Sequence, residues 1–355
     1  MILKKNKVFV ITEIGVNHNG SLELAKKLIV KAKQSGADAV KFQNFITDNL
    51  VTKKARKANY QKINTGNNKS QYEMLKSLEL SFDKYFILKK FCKLHNIIFI
   101  TSPFDEISLD FVQKKLNCNF IKIPSGEINN YFILDKLKKT NKIIMSSGMN
   151  SLVDVARSIN RIFKKRIYYI SKKKIIKKNI EIIKRIKSKF FVLHCVTDYP
   201  VESKYANIKS ITTLRNELGL HIGYSDHTKG VLASIIAASL GAQIIEKHLT
   251  LNTKMRGPDH SASLDPITFQ RMCRKIREVE LLLGNGKKEI QNCELRNIKI
   301  AKKSIVARTD IKKGEKITRK NITAKRPYNG ISPEFIDLFI NKKAHISFKK
   351  NDFIK

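Results

Sequence analysis

The sequence predicts an α/β fold, a (β/α)8 or TIM barrel, joined to a small C-terminal β-rich domain. Three observations carry this. Eight short runs are near-continuously apolar; helix-period segments alternate with them; and each run closes on a residue capable of chemistry, in order Glu13, Lys41, Ser102, Ser125, Ser146, Cys195, Asp226 and His248. Strands of a parallel sheet are buried on both faces and so read as continuous apolar runs. In a closed parallel barrel the inward side chains fill the core, while the C-terminal strand ends and the loops after them share one pocket.

The strands are expected over Val8–Ile14, Ala39–Gln43, Ile97–Ser102, Phe120–Ser125, Lys142–Ser147, Phe190–Cys195, His221–Asp226 and Gln243–His248. The first helix, Leu22–Ser35, follows the turn pair Asn19-Gly20 and stops before Gly36, and Phe82–His95 repeats apolar residues every three or four positions. Further helices are expected over Glu106–Leu116, Tyr131–Lys139, Leu152–Lys164, Asn207–Leu218, Gly230–Leu240 and Pro266–Leu283. Two stretches exceed a minimal barrel. Residues 52–69 are polar and basic and read as a long loop over the barrel mouth, or a solvated surface loop. Residues 166–189, rich in Lys and Ile, extend the fifth helix or insert a surface hairpin.

With 355 residues the chain exceeds one barrel of about 250. The run Gly284-Asn285-Gly286 breaks the last helix. This gives a barrel over residues 1–284, a charged linker over 285–303 and a module over 304–355, whose β-like runs are punctuated by Asp310, Gly314, Pro327, Gly330 and Pro333. So short a module buries little core and is expected to pack against something larger.

A hydrophobic content of 42% excludes a mainly disordered chain. The net charge of +40 invites a polyanion as partner. Its distribution argues against specific nucleic-acid binding: the lysines are scattered over helix faces, thickest at 164–189, without the aromatic-interleaved stripe of single-strand binders. Five cysteines at irregular spacing form no disulfide framework and no paired metal motif. Val8–Thr12 is too short for a signal-peptide core, and Val231–Ile245 is too short and too polar for a membrane span. The expectation is a cytoplasmic protein with no membrane partner.

His227 and His248 end adjacent predicted strands, and two converging imidazoles suit a divalent transition metal, with open positions for water and substrate. The alternative is two hydrogen-bonded structural histidines. Lys41 and Lys122 close strands two and four, and Ser125, Ser146, Ser147 and Ser225 add hydroxyls beside Gly126 and Gly148, a set suited to phosphate or carboxylate. Glu13, Glu127 and Asp259 form an acidic group. A carboxylate near a bound anion is unfavourable unless it acts as a base or holds substrate hydroxyls, although Asp259 alone also suits a loop cap. A Schiff base on Lys122 fits this charge-stabilising surrounding less well.

Glu13-Ile-Gly-Val-Asn-His-Asn-Gly20, Lys41-Phe-Gln43, Lys122-Ile-Pro-Ser-Gly-Glu127, Ser146-Ser-Gly-Met149, Gly223-Tyr-Ser-Asp-His-Thr228, Glu246-Lys-His248 and Gly257-Pro-Asp-His260, in this order, resemble the sialic acid synthase family. The C-terminal Asp310-Ile-Lys-Lys-Gly314 and Lys325-Arg-Pro327 are similar to the antifreeze-like (SAF) domain of those enzymes. The resemblance implies a metal-dependent condensation of phosphoenolpyruvate with an open-chain N-acylhexosamine, N-acetylmannosamine or a 2,4-diacetamido-6-deoxy relative, giving a nine-carbon 2-keto sugar acid and phosphate. It implies that Lys41, Gln43, Lys122, Ser125, Ser146 and Ser225 hold phosphoenolpyruvate, and that His227 and His248 bind manganese, with magnesium or cobalt as alternatives. Glu13, Tyr199, Asp259 and Arg326 would contact the sugar, Arg326 reaching across a domain-swapped homodimer. Glu127 is the expected general base, and Glu13 is placed with it in the catalytic set. Thr197 stands where some bacterial members carry asparagine, and the run 257–264 is closer to the N-acetylneuraminate and legionaminate enzymes than to the pseudaminate ones. A 3-deoxy sugar acid synthase acting on a phosphorylated aldose is the rival within the class. A basic polyanion-binding protein is the rival outside it.

Overall fold

The structure, a computed structural model, describes residues 7–66, 69–172 and 174–355. Asn67 and Asn68 of the 52–69 stretch, and Lys173 of the 166–189 stretch, lie outside the described residues. The chain divides into two compact units, one ending at Gly284 and the other spanning Asn285–Lys355.

The first unit opens with β1 (Phe9–Gly15), α1 (Leu22–Gln34) and β2 (Ala39–Asn44). Three helices then follow before the next strand pairing: α2 (Thr47–Leu50), α3 (Asn59–Thr65) and α4 (Gln71–Leu78), with α5 (Phe82–Leu94) leading into β3 (Ile98–Pro103). After α6 (Glu106–Asp110) come β4 (Phe120–Ile123), α7 (Tyr131–Leu134), β5 (Lys142–Ser146) and α8 (Leu152–Phe163). A hairpin, β6 (Tyr168–Ser171) and β7 (Lys174–Lys178), precedes α9 (Ile180–Ile186) and β8 (Phe190–Cys195). The unit closes with α10 (Ser210–Leu218), β9 (His221–Asp226), α11 (Leu232–Ser239), β10 (Ile244–His248) and α12 (Pro266–Leu283).

Eight strands, in the order β1-β10-β9-β8-β5-β4-β3-β2, close the barrel, and every adjacent pair is parallel. Strand alternation sorts the side chains. Phe9, Ile11, Ala39, Ile100, Phe120, Ile144, Phe191, Leu193 and Ile244 form a core of their own. Two or four residues further along the same strands, on the same inward face, come Glu13, Lys41, Ser102, Lys122, Ser146, Cys195 and Glu246. Gly223 occupies this inner face because a Cβ there would lie 2.4 Å from the Ile244 carbonyl oxygen and 2.5 Å from Leu193. The opposite strand faces pack on the helices through a larger core that includes Leu28, Val40, Leu88, Ile121, Ile159, Tyr224 and Phe269.

The helices differ from the sequence reading where local geometry intervenes. The 52–69 stretch is not wholly loop, since it contains α3. The expected helix Glu106–Leu116 changes after Asp110 to a π-helical turn, Phe111–Lys115. Of the expected Tyr131–Lys139 helix only α7 forms. Of the two forms considered for 166–189, the hairpin is present. No helix among the described residues is long and apolar enough to cross a membrane.

In the second unit the stretch read as a linker carries a 3-10 turn, Asn292–Glu294, and α13 (Leu295–Ala301). Beyond it β11 (Ser304–Ala307) pairs antiparallel with β12 (Ile322–Lys325). Ile305, Ala307, Ile311, Ile317, Ile322, Ala344, Phe348 and Ile354 give this unit its own small core.

Candidate active site

At the C-terminal rim of the barrel a cavity of 330 Å³ is lined by Glu13, Lys41, Gln43, Lys122, Ser125, Glu127, Ser146, Tyr199, Ser225, His227, His248 and Asp259. Every residue of the first unit expected to hold phosphoenolpyruvate, sugar or metal, or to act in catalysis, therefore lines one cavity. Arg326 belongs to the second unit, where it is exposed and its Nε donates to the Ala301 carbonyl at 2.9 Å.

The floor is a buried charge cluster. Lys41 Nζ lies 2.7 Å from Glu13 Oε2 and 3.8 Å from Glu246 Oε2. Lys122 Nζ donates to Glu246 Oε1 at 3.0 Å, and Ser225 Oγ donates to the same oxygen at 2.8 Å. Burial opposes the charge on Lys41, but Glu13 and Glu246 outweigh it and hold the ammonium above its ordinary range. Burial pulls Lys122 below its ordinary range, since Glu246 offsets it only in part and Lys41 repels it. Glu246 stays ionised, down at about 2, because the two lysines overcome the desolvation of its carboxylate.

Small donors surround this cluster. Ser125 opens a 3-10 turn after β4, and its Oγ accepts from Gly148 N at 3.0 Å. Gly148 permits that approach, since a Cβ there would lie 2.2 Å from Thr197 Oγ1 and 2.8 Å from Ser125 Oγ. Ser146 Oγ and Thr197 Oγ1 are buried with no hydrogen-bond partner among the described residues. Ser147 turns away and donates to the Leu193 carbonyl at 3.0 Å.

His227 and His248 face each other with ring centroids 5.7 Å apart. The Val196 carbonyl lies 2.7 Å from His227 Nδ1 and can accept only its N–H, so in the neutral ring Nε2 is the nitrogen open to a cation. His248 Nδ1 is buried without a hydrogen-bond partner among the described residues. This donor pair fits a divalent cation. Tyr199 covers it, its ring centroid 4.1 Å from that of His227, and Tyr60 of α3 packs at a tilt against Tyr199 with centroids 5.0 Å apart.

Two carboxyls stand apart from the lysines. Glu127 is half-buried, accepts from Asn130 Nδ2 at 2.6 Å, and is pushed up by burial and by Asp105. Asp259 is raised to about 7 by burial and by Glu13. Asp259 can therefore exchange a proton near neutrality, and Glu127 holds its proton more tightly than a solvated carboxyl does.

Sequence reasoning underused three residues. Glu246 enters the sequence analysis only as part of the run Glu246-Lys-His248, yet it joins both lysines; its place on the inward face two residues before His248 is the available signal. Cys195 and Tyr60 also line the cavity, and nothing in the local sequence marked Tyr60. Asp226, read as a strand-end functional group, points away from the cavity and is bound by Thr228, Ser234 and Lys247.

A family model described as the NeuB family matches residues 28–288, and a SAF domain model matches residues 302–355. An N,N'-diacetyllegionaminic acid synthase of Campylobacter jejuni is 42% identical over 98% of this chain and 99% of its own length. The human N-acetylneuraminate-9-phosphate synthase is 33% identical over 98% of this chain and 91% of its own. Among solved structures, a sialic acid synthetase from Leptospira borgpetersenii in complex with citrate superposes with a TM-score of 0.67 at 29% identity, covering 82% of this chain and 90% of that one.

Proposed function

Because the chain belongs to the NeuB family, whose named relatives are sialic-acid-type synthases, we propose that it condenses phosphoenolpyruvate with an open-chain N-acylhexosamine to a nine-carbon 2-keto sugar acid, releasing phosphate. The supporting observation is the meeting of a paired-lysine floor and two facing histidines in one 330 Å³ cavity. The stronger likeness to the legionaminic acid synthase favours a 2,4-diacetamido-6-deoxy hexose as acceptor over N-acetylmannosamine.

In this reading Lys41 and Lys122 neutralise the phosphate and carboxylate of phosphoenolpyruvate, while Gln43, Ser125, Ser146 and Ser225 orient them. Glu13, Tyr199 and Asp259 position the sugar so that its C1 aldehyde lies over C3 of the enol ether. His227 and His248 would hold a divalent cation, manganese by expectation, which supplies Lewis-acid polarisation of a carbonyl oxygen. The enol π electrons form the C3–C1 bond as the aldehyde oxygen takes up a proton, and cationic character develops at C2. Water adds at C2, and Glu127, held up by burial, accepts its proton. The tetrahedral intermediate then collapses: the C2 hydroxyl loses its proton and forms the C2 carbonyl as the bond from C2 to the phosphorus-bearing oxygen breaks, and that proton leaves on the phosphate, giving the 2-keto acid. The reading carries with it a cytoplasmic enzyme and a swapped dimer in which Arg326 serves the partner's sugar site.

The test is phosphate release and product mass with phosphoenolpyruvate, a panel of N-acylhexosamines and Mn²⁺. Turnover is expected only when all three are present, and bridging ¹⁸O of phosphoenolpyruvate should leave with phosphate. Retention of that label in the sugar acid, or no turnover with any hexosamine, rejects the proposal. Product mass also separates it from a 3-deoxy sugar acid synthase using a shorter phosphorylated aldose.

A further inference from the structure

We propose that the chain between β2 and β3 forms an apolar subsite that selects hexosamines by their methyl groups, the deoxygenated C6 and the acylamino methyl, and so determines which sugar the enzyme accepts. This rests on the synthase reading above and assigns its specificity to particular residues.

The cavity has two kinds of wall. Its floor consists of strand-end lysines, carboxylates, serines and histidines. Its outer wall on the β1–β3 side is mainly apolar: Leu50, Val51 and Leu75 from the excursion, with Phe104 just after β3, are all half-buried and line the cavity, beside the side chains of Gln61 and Gln71. Val16, Met74 and Leu78 also line the cavity and are buried with Phe45 in a separate small core, onto which Leu50, Leu75 and Phe104 pack.

The wall is a built element rather than a solvated loop. At its base Glu79 Oε2 accepts from Thr47 N at 2.9 Å and from Thr47 Oγ1 at 2.6 Å. Ser70 caps α4 in a reciprocal arrangement with Glu73, and Tyr72 donates to Asp48 at 2.6 Å. Tyr60 continues the surface towards Tyr199.

The position of this wall follows from the reaction. The acceptor's C1 must meet C3 of phosphoenolpyruvate on the polar floor, so the rest of a six-carbon chain extends towards the mouth, where the aliphatic side chains stand. A hydroxyl pressed against Leu50, Val51 or Leu75 loses water and gains no hydrogen bond from these side chains, whereas a methyl gains contact. One methyl-sized group in such a pocket changes selectivity by about 10–200-fold.

The experiment compares kcat/KM for a 2,4-diacetamido-6-deoxy hexose and for N-acetylmannosamine in the wild type, Val51→Asn and Leu75→Asn. The two substitutions lie on separate turns, and thermal midpoint together with the KM for phosphoenolpyruvate reports on folding. The wild type should favour the deoxy sugar by about tenfold or more. Either variant that folds should lower that ratio several-fold while the phosphoenolpyruvate KM stays put. Equal use of both sugars by the wild type, or a ratio unmoved in folded variants, overturns the subsite and leaves the synthase reading standing. No turnover of either sugar by the wild type removes the synthase reading and the subsite with it.

Discussion

Asp226 and Lys247 form an ion pair at 3.0 Å in which neither side chain has any exposure. They are register partners on β9 and β10, each one residue before a cavity histidine. Because strand side chains alternate, this pair lies outside the barrel wall while His227 and His248 face inward. Asp226 is fully engaged: Thr228 N and Oγ1 donate to Oδ1 at 2.9 and 2.8 Å, and Ser234 Oγ of α11 donates to Oδ2 at 2.6 Å. Lys247 also donates to the Thr228 carbonyl.

Removing one member of so buried a pair strands the other. Lys247→Met is expected to destabilise the first unit by about 3–5 kcal/mol, measured by denaturant unfolding, and the double variant with Asp226→Asn should recover part of that loss. Titration calorimetry with Mn²⁺ should show weaker binding in the single variant, since the two strand ends are no longer tied. Unchanged stability and unchanged Mn²⁺ affinity would sink the idea that this pair sets the spacing of the histidines.

Glu127→Gln keeps size and the Asn130 contact region but cannot accept a proton. Turnover should fall about 10²–10⁴-fold with little change in the KM for phosphoenolpyruvate. A kcat within a few-fold of wild type would remove Glu127 from the general-base role.

Glu246→Gln withdraws the negative charge that serves both lysines. The protein alone should melt lower, and phosphoenolpyruvate should raise its melting temperature more than it raises that of wild type, because the added anion takes over the neutralisation. Equal ligand-induced shifts in the two proteins would contradict this.

His18 gives a pH signature. Burial, with Lys84 nearby, lowers its pKa from 6.5 to about 4. Between those values the unfolded chain binds a proton that the native state refuses, so this contribution to stability is complete above pH 6.5 and is lost as pH falls towards 4. Asp259, raised from 3.8 to about 7, works in the opposite sense, holding its proton in the native state, so the difference between proteins is the useful measure. Relative to wild type, His18→Asn should show a stability–pH slope shallower by about 1.4 kcal/mol per pH unit across that window. Parallel curves would show that His18 does not remain neutral.

Much of the barrel was legible because continuous apolar strands and their terminal polar residues obey one rule. Phe190–Cys195 and His221–Asp226 fall where expected, and Lys41, Lys122, His227 and His248 converge as their strand-end positions imply. What escaped depends on long-range contacts. The 59–65 helix owes its place to the tilted Tyr60–Tyr199 ring contact and to Asn64 donating to the Pro258 carbonyl at 2.6 Å, a partner nearly two hundred residues away. The π-helical turn after Asp110 likewise brings Phe111 against Phe82, with ring centroids 4.1 Å apart. Inward or outward direction was the other gap: Asp226 stands one residue before His227 and Glu246 two before His248, so strand alternation turns the first to the helices and the second to the cavity, as the register confirms.

The internal pairing of the cavity floor sets a threshold on who can enter. Lys41 and Lys122 are each already matched by a carboxylate, so chloride or another singly charged ion would have to disrupt an existing contact to gain a comparable one. A phosphate ester that also bears a carboxylate brings enough charge at two points to displace those contacts together. On the proposed function such a pocket would discriminate by charge number before shape, and abundant inorganic salts would compete poorly with phosphoenolpyruvate.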